Sequence, residues 1–225
     1  PVTGTFITDV DASDAAGTLT DNSRVLRFTA GSGESLSLNS LTITGGRTTG
    51  FAAPGGGVSA TNGSIALVAA TVSGNSTTGD LSQGGGIYTV TGAVTLMSST
   101  ISGNRTTGPG SDGGGIRTNT GAVKLTDSTV SGNTTTGINA EGGGIFANSG
   151  AVTLNSSTVS GNSTTGTLAE GGGVYVYIGE LTLSNSTVTG NSSGADGGGV
   201  FVPDNLTNQP LTIQNSIVAS NNATG

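Results

Sequence analysis

The chain is 225 residues long, and Gly (42), Thr (38) and Ser (28) fill 108 of its positions. Only 8% of residues are charged, 13 acids against 6 bases, giving a net charge of −7; a typical soluble domain carries about 25%, and so few Lys and Arg argue against a nucleic-acid partner. His, Cys and Trp are absent, which removes zinc sites, thiol nucleophiles, disulfides and every histidine-dependent triad.

Such a composition can mean disorder, but 32% of the residues are apolar and the mean hydropathy is +0.04, above what disordered chains carry. No run of about 18 apolar residues exists, so no membrane span is expected. The first residue is Pro1, which reads as a processed mature chain whose export signal has been removed. Absence of cysteine and low charge suit a secreted or cell-surface setting.

Residues 1–25 stand outside the pattern that follows, although Phe6-Ile7-Thr8-Asp9-Val10 and Leu19 are strand-like. Ser35 to Pro54 is a degraded first repeat, with Leu36 and Leu38 lying 29 residues before Ile65 and Leu67. From there a Gly-Gly-Gly-[Ile/Val] element starts at Gly55, Gly84, Gly113, Gly142, Gly171 and Gly197, in steps of 29 and finally 26. The last unit carries an insertion, Pro203 to Pro210. A fixed period of this length is the mark of a solenoid.

Within a unit, Val123-Lys124-Leu125 alternates apolar and polar, the period of a strand. A second strand is expected at Thr129-Val130-Ser131 and a third from Ile116, with Gly, Asn and Ser at the bends. Stacking such coils makes ladders: Val94, Val123 and Val152; Leu96, Leu125 and Leu154; Ile101, Val130, Val159 and Val188. The fold expected for residues 26–225 is therefore an all-β, single-stranded β-solenoid of about seven 29-residue coils, roughly 35 Å long.

Gly85-Gly86-Ile87 and its five counterparts, with the Ser-Gly-Asn or Thr-Gly-Asn element of each coil, resemble the right-handed parallel β-helix repeats of bacterial and archaeal cell-surface proteins. Polymorphic outer membrane proteins are among them. Here Gly replaces the Ala of that family's Gly-Gly-Ala-Ile element, and the Phe that precedes its Asn is missing. The resemblance covers about residues 35 to 225 and implies a right-handed parallel β-helix; function it leaves open.

Three columns could carry function. Asn75, Asn104, Asn133, Asn162 and Asn191 recur at one coil position, where an inward asparagine ladder is expected. Each also heads a glycosylation sequon, and since a buried ladder Asn cannot bear a glycan, Asn155, Asn185 and Asn205 are the better acceptors. Asp112, Glu141, Glu170 and Asp196, with Gln83, form an acidic column before the Gly triplet. The simplest expectation is that they stand in solvent and accept bonds from glycine amides; calcium binding or a subunit contact are the alternatives. Tyr88, Phe146, Tyr175 and Phe201 share one outward position, an exposed stripe that either forms an interface or stabilises its own sheet. Rows of Thr77-Thr78, Thr106-Thr107, Thr135-Thr136 and Thr164-Thr165 raise an ice-binding reading.

No cluster of Asp with a base, and no triad of close Asp, points to a polysaccharide lyase or hydrolase. Arg117 and Lys124 share a coil with Asp112 and Asp127, an arrangement expected to be surface solvation. No catalytic residue, cofactor or metal is therefore assigned. Because no cap helix or charged loop hides the solenoid's ends, the leading expectation is a non-enzymatic extracellular structural protein. Its subunits would stack end to end into a homopolymeric filament, with residues 1–25 as a possible brace between them. The alternative is an adhesin or autotransporter-type passenger binding carbohydrate or a host surface.

Overall fold

The computed structural model describes residues 5–7, 24–29, 34–204 and 209–225. Over these the backbone winds seven coils and forms no helix. The fourth coil shows the plan: Ile116–Thr118, Val123–Thr126, Thr129–Ser131 and Thr134–Thr135. Each strand pairs in parallel with its counterpart 29 residues away, as in Val94↔Val123 and Val123↔Val152. Four sheets thus run along the axis; we call them I to IV in the order of those four strands.

The alternation of the sequence accounts for sheets I, II and III but not for IV. Its strands are two residues long, Arg105–Thr106 and Thr134–Thr135 for example, too short to show a period. Contacts on either side define them instead. The preceding Asn is locked into a ladder, and the inward Thr135 hydroxyl donates to Ala140 O at 2.8 Å.

The apolar ladders fill the interior: Val123, Leu125 and Val130 are fully buried, as are their counterparts in the coils on either side. Where the chain passes from sheet II to III, Asp127, Ser156 and Asn185 sit at φ of 49°, 49° and 51°, a left-handed corner that Asn and Asp tolerate best. The next residue is a serine. Its hydroxyl accepts from the coil before, as in Ser128 N to Ser157 Oγ at 3.2 Å, and donates two residues back, Ser128 Oγ to Thr126 O at 2.7 Å. That serine ladder is invisible to hydropathy.

The Gly triplet has three separate causes. Gly113 turns the chain at φ 66°; a Cβ on Gly114 would lie 2.5 Å from both Gly143 O and Thr134 O; one on Gly115 would lie 2.6 Å from Gly144 O and 3.0 Å from Asn133 Cγ. Coils stack too closely there for any side chain.

The two ends differ. At the start, β1 (Thr5–Ile7) pairs antiparallel with β2 (Leu26–Thr29) of the same chain, so this piece of the residues 1–25 segment serves its own sheet I. Inward Leu36, Leu38 and Ile43 are buried. In the last coil the inward Leu211, Ile213 and Val218 are 50%, 48% and 43% exposed, although their partners Leu181, Leu183 and Val188 are at 0%.

Candidate functional site

The asparagines occupy the corner before sheet IV and point inward. Asn133 Nδ2 donates to Asn162 Oδ1 at 2.9 Å and to Ile101 O at 3.0 Å, while its Oδ1 accepts from Asn104 Nδ2 and Asn104 N at 2.9 and 3.0 Å. The same set repeats at Asn104, Asn162 and Asn191, and Asn75 opens the ladder, donating to Asn104 Oδ1 while its own Oδ1 accepts from Gly46 N at 2.9 Å. Asn221 forms the last rung, accepting from Asn191 Nδ2 at 2.9 Å. The sequence pattern missed it because the insertion stretches its step to 30. Of the off-ladder sequons, Asn155 and Asn185 are exposed and Asn205 lies outside the described residues.

The Thr rows do not form a face. Thr77, Thr106, Thr135 and Thr164 are buried and spend their hydroxyls on carbonyls five residues on. The bends fold inward there, so the expected double rows are split between inside and outside.

The acidic and aromatic columns meet each other. After sheet IV each coil makes a glycine-rich bend that returns over the outer side of sheet I, where Ser59, Tyr88, Arg117, Phe146, Tyr175 and Phe201 stand in register. Covered by these bends, Phe146 and Tyr175 are buried, which corrects the expected exposed stripe. Their rings stack along the axis, Phe146 on Tyr175 at 5.0 Å between centroids and Tyr175 on Phe201 at 5.3 Å, so ring faces meet ring faces.

Arg117 takes the place of a ring in this column. Its guanidinium lies 5.7 Å from the Tyr88 centroid and 5.2 Å from that of Phe146, a cation held between two π faces. Five residues before it, across the Gly113 turn, Asp112 approaches with Oδ2 3.8 Å from Arg117 Nε. The expectation of surface solvation fails for both, since Asp112 and Arg117 are buried. Nor does Asp112 take a glycine amide: Gly113 N bonds Glu141 O, and Asp112 Oδ1 accepts from Glu141 N at 3.2 Å. Gln83 Nε2 reaches Asp112 Oδ2 at 3.5 Å.

Burial sets the electrostatics. It raises Asp112 from 3.8 to about 6, against the pull of Arg117 and the Glu141 amide. Glu141 rises to about 7 through burial and the nearby Asp112 and Glu170, opposed by Arg117 and by a hydrogen bond from the Tyr175 hydroxyl. Glu170 is also raised, by burial and then Asp196, while burial lowers Arg117 despite Asp112. Asp196 is exposed. Among the described residues no group of three or more acidic side chains lies placed to hold a metal ion.

The groups open onto a groove of about 270 Å³ lined by Asp112, Arg117, Glu141, Phe146, Tyr175 and Tyr177. Arg117 Nη1 donates to Asn119 Oδ1 at 3.3 Å, and Asn148 Nδ2 donates to the same oxygen at 3.1 Å. A second groove of about 400 Å³ lies on the other side of Tyr88 and holds Arg24 and Arg27; Arg24 is engaged by the Pro54 and Gly55 carbonyls. Sequence reasoning placed Arg117 and Asp112 in one coil but overlooked their meeting. The available signal was a lone Arg standing 29 residues from both Tyr88 and Phe146.

No curated protein and no solved structure matches the chain. The family model described as "Right handed beta helix region" matches residues 28–208, which takes in the stacked sheets up to the last strands of II, III and IV. Coils, ladders and match agree: the chain belongs to the right-handed β-helix family.

Proposed function

We propose that the chain is a non-enzymatic structural rod of an extracellular assembly, extended by end-to-end stacking of copies. The observation that supports this reading is the stacking itself: the apolar, serine and asparagine ladders run in register from coil to coil, so a coil supplied by another copy would add to them on the same terms. Leu211, Ile213 and Val218 continue ladders buried everywhere else, and the strands Leu211–Gln214, Ile217–Ala219 and Asn222–Ala223 leave their outer edges unpaired among the described residues. Apolar side chains beside open strand edges are a template for further β structure. Sheets II, III and IV also carry edge strands at the first coil, Ser35–Asn39, Thr42–Thr44 and Arg47–Thr48, so the same three sheets can run from one copy into the next. The test is negative-stain electron microscopy of the purified chain beside an Ile213→Asp/Val218→Asp double variant. Fibres repeating every ~35 Å, lost in the variant, are the expected result; single short rods in both would sink it.

One observation favours a second reading, in which the rod also binds a surface as adhesins do. The groove over sheet I gathers buried charge, amides and rings that ladder packing alone does not call for.

A further inference from the structure

The bends that carry the first five coils from sheet IV back over sheet I each hold one apolar side chain larger than alanine out in solvent: Phe51, Leu81, Pro109, Ile138 and Leu168. Phe51 is 73% exposed and Leu168 65%. Successive bends are tied at their tips, Ala52 N to Asp80 O, Leu81 N to Pro109 O and Gly110 N to Ile138 O at 3.0 Å and Asn139 N to Thr167 O at 3.1 Å, so the five side chains line up as a ridge along the rod. The fold does not call for them. One tip residue of each bend is left-handed, and three bends place Ala52, Gly110 and Asn139 there, at φ of 49°, 60° and 52°; the other two place leucine, Leu81 at 54° and Leu168 at 60°. A leucine in that conformation is strained. Leu81 gains only a contact with the next bend, its Cδ2 lying 2.9 Å from where Gly110 would carry a Cβ, and Leu168 stays in solvent. Strain kept at exposed apolar residues points to a contact outside the rod.

We propose that this ridge pairs the rod side by side with a second, antiparallel copy of the same chain. The strip amounts to roughly 400 Å², within the ~300–600 Å² of exposed patches that mark interaction sites. That is about half of the ~800 Å² per partner in a standard interface, so the pair is a weak one. Another ridge has the same length and the same step from coil to coil, and an interface of this kind is self-complementary about a two-fold axis. Charge sets the orientation. On the sheet I side of the ridge, Arg24 and Arg27 share a groove with Ala52 and Pro54 of the first bend, whereas the later bends close on Gln83, the buried Asp112, Glu141 and Glu170. Antiparallel pairing about Pro109 seats Phe51 on Leu168 and Leu81 on Ile138, and brings the two arginines beside Glu170 and Gln83 beside Glu141. Parallel pairing would instead set Asp80 against Asp80.

The experiment is sedimentation velocity from about 1 to 500 µM, on the chain and on its Ile213→Asp/Val218→Asp variant, in which end-to-end contacts are disrupted, so that a lateral pair is read whether or not the rods stack. The expected result is a monomer–dimer equilibrium with a Kd of about 100 µM. Leu81→Asn/Leu168→Asn removes two apolar tips and relieves their strain; it should weaken the dimer about tenfold or more with a melting temperature no lower than the parent's. Phe51→Ser, at a tip residue outside the left-handed region, should weaken it too. No dimer at the highest concentration, or a dimer untouched by these substitutions, overturns the proposal. Cysteines introduced into a chain that has none read the orientation: Phe51→Cys and Leu168→Cys chains should cross-link when mixed and oxidised but not separately, and cross-linking of Phe51→Cys to itself overturns the antiparallel arrangement. Flotation of the monomer with phosphatidylcholine vesicles, lost in Leu81→Asn/Leu168→Asn and seen without a dimer, would assign the ridge to lipid and overturn the second copy.

Discussion

Replacing Asn133 by Ala tests whether the polar ladder holds the coils together. The side chain is fully buried in the middle of the stack and makes four hydrogen bonds, two given and two received. Alanine leaves Asn104 N without its acceptor, and Ile101 O and Asn104 Nδ2 each lose a partner, in a place where the backbone above and below prevents water from entering. An unsatisfied buried group costs about 1–3 kcal/mol, so the loss should reach about 3–5 kcal/mol, a large part of the ~5–15 kcal/mol available to a domain. Asn221→Ala is the internal comparison. That rung has three such bonds and is only half-buried at the open end, so about 1–2 kcal/mol is expected there. Urea unfolding followed by circular dichroism reads both variants, with midpoints compared directly because a solenoid need not unfold in one step. A loss below about 1 kcal/mol at Asn133, or equal losses at the two rungs, would refute the reasoning and show that the asparagine ladder does not hold the coils together.

The remaining predictions concern glycine, pH and the ring column. Gly114→Ala, whose Cβ would lie 2.5 Å from two carbonyl oxygens, should prevent folding at 25 °C; Gly103→Ala, at φ 61° with nothing within 4 Å, should cost only the left-handed penalty of about 1–2 kcal/mol by urea unfolding. Asp112 at about 6 and Glu141 at about 7 are both raised in the folded chain. The folded state therefore holds more protons than the unfolded state between roughly pH 4 and 7. Stability should accordingly be greatest below that window, fall as pH rises through it, and level off above, by about 3 kcal/mol for Asp112 and less for the more exposed Glu141. Asp112→Asn should flatten the profile of melting temperature against pH, and an unaltered profile would exclude this cluster as its source. Phe146→Ala removes the stack on Tyr175 and one face of the Arg117 sandwich, and should lower stability by about 3–5 kcal/mol in the same urea assay.

What the sequence shows and what it hides follow from how each feature is encoded. Val123, Leu125 and Asn133 repeat at a fixed step with one residue type, because stacking puts like on like, so the coil count, the apolar ladders and the asparagine column can be read directly. Sheet IV and the serine ladder are hidden because Ser and Thr fill both inward and outward positions here; Thr135 and Thr136 are adjacent, yet one is buried and the other is not. The groove is harder still. Whether Phe146 is exposed depends on the bend ending at Glu141, and the bends TGPGSD, TGINAE and TGTLAE keep their leading Thr-Gly and closing acid but vary between them.

That variability is itself informative. Ladders call for the same kind of inward residue in every coil, as in Leu36, Ile65, Val94, Val123, Val152 and Leu181, so a stack of alike coils can build a rod but not a place on it. Arg117 breaks the ring column once, and Asp112 lies five residues away across the one turn that can bring it alongside. A buried ion pair of this kind is a weak source of stability, because desolvation offsets most of its attraction, and another aromatic at position 117 would continue the stack from Tyr88 to Phe146. Arg117→Tyr should accordingly raise the melting temperature. A variant that loses stability instead would show that the pair serves the rod itself, and that the irregularity marks a joint in the stack.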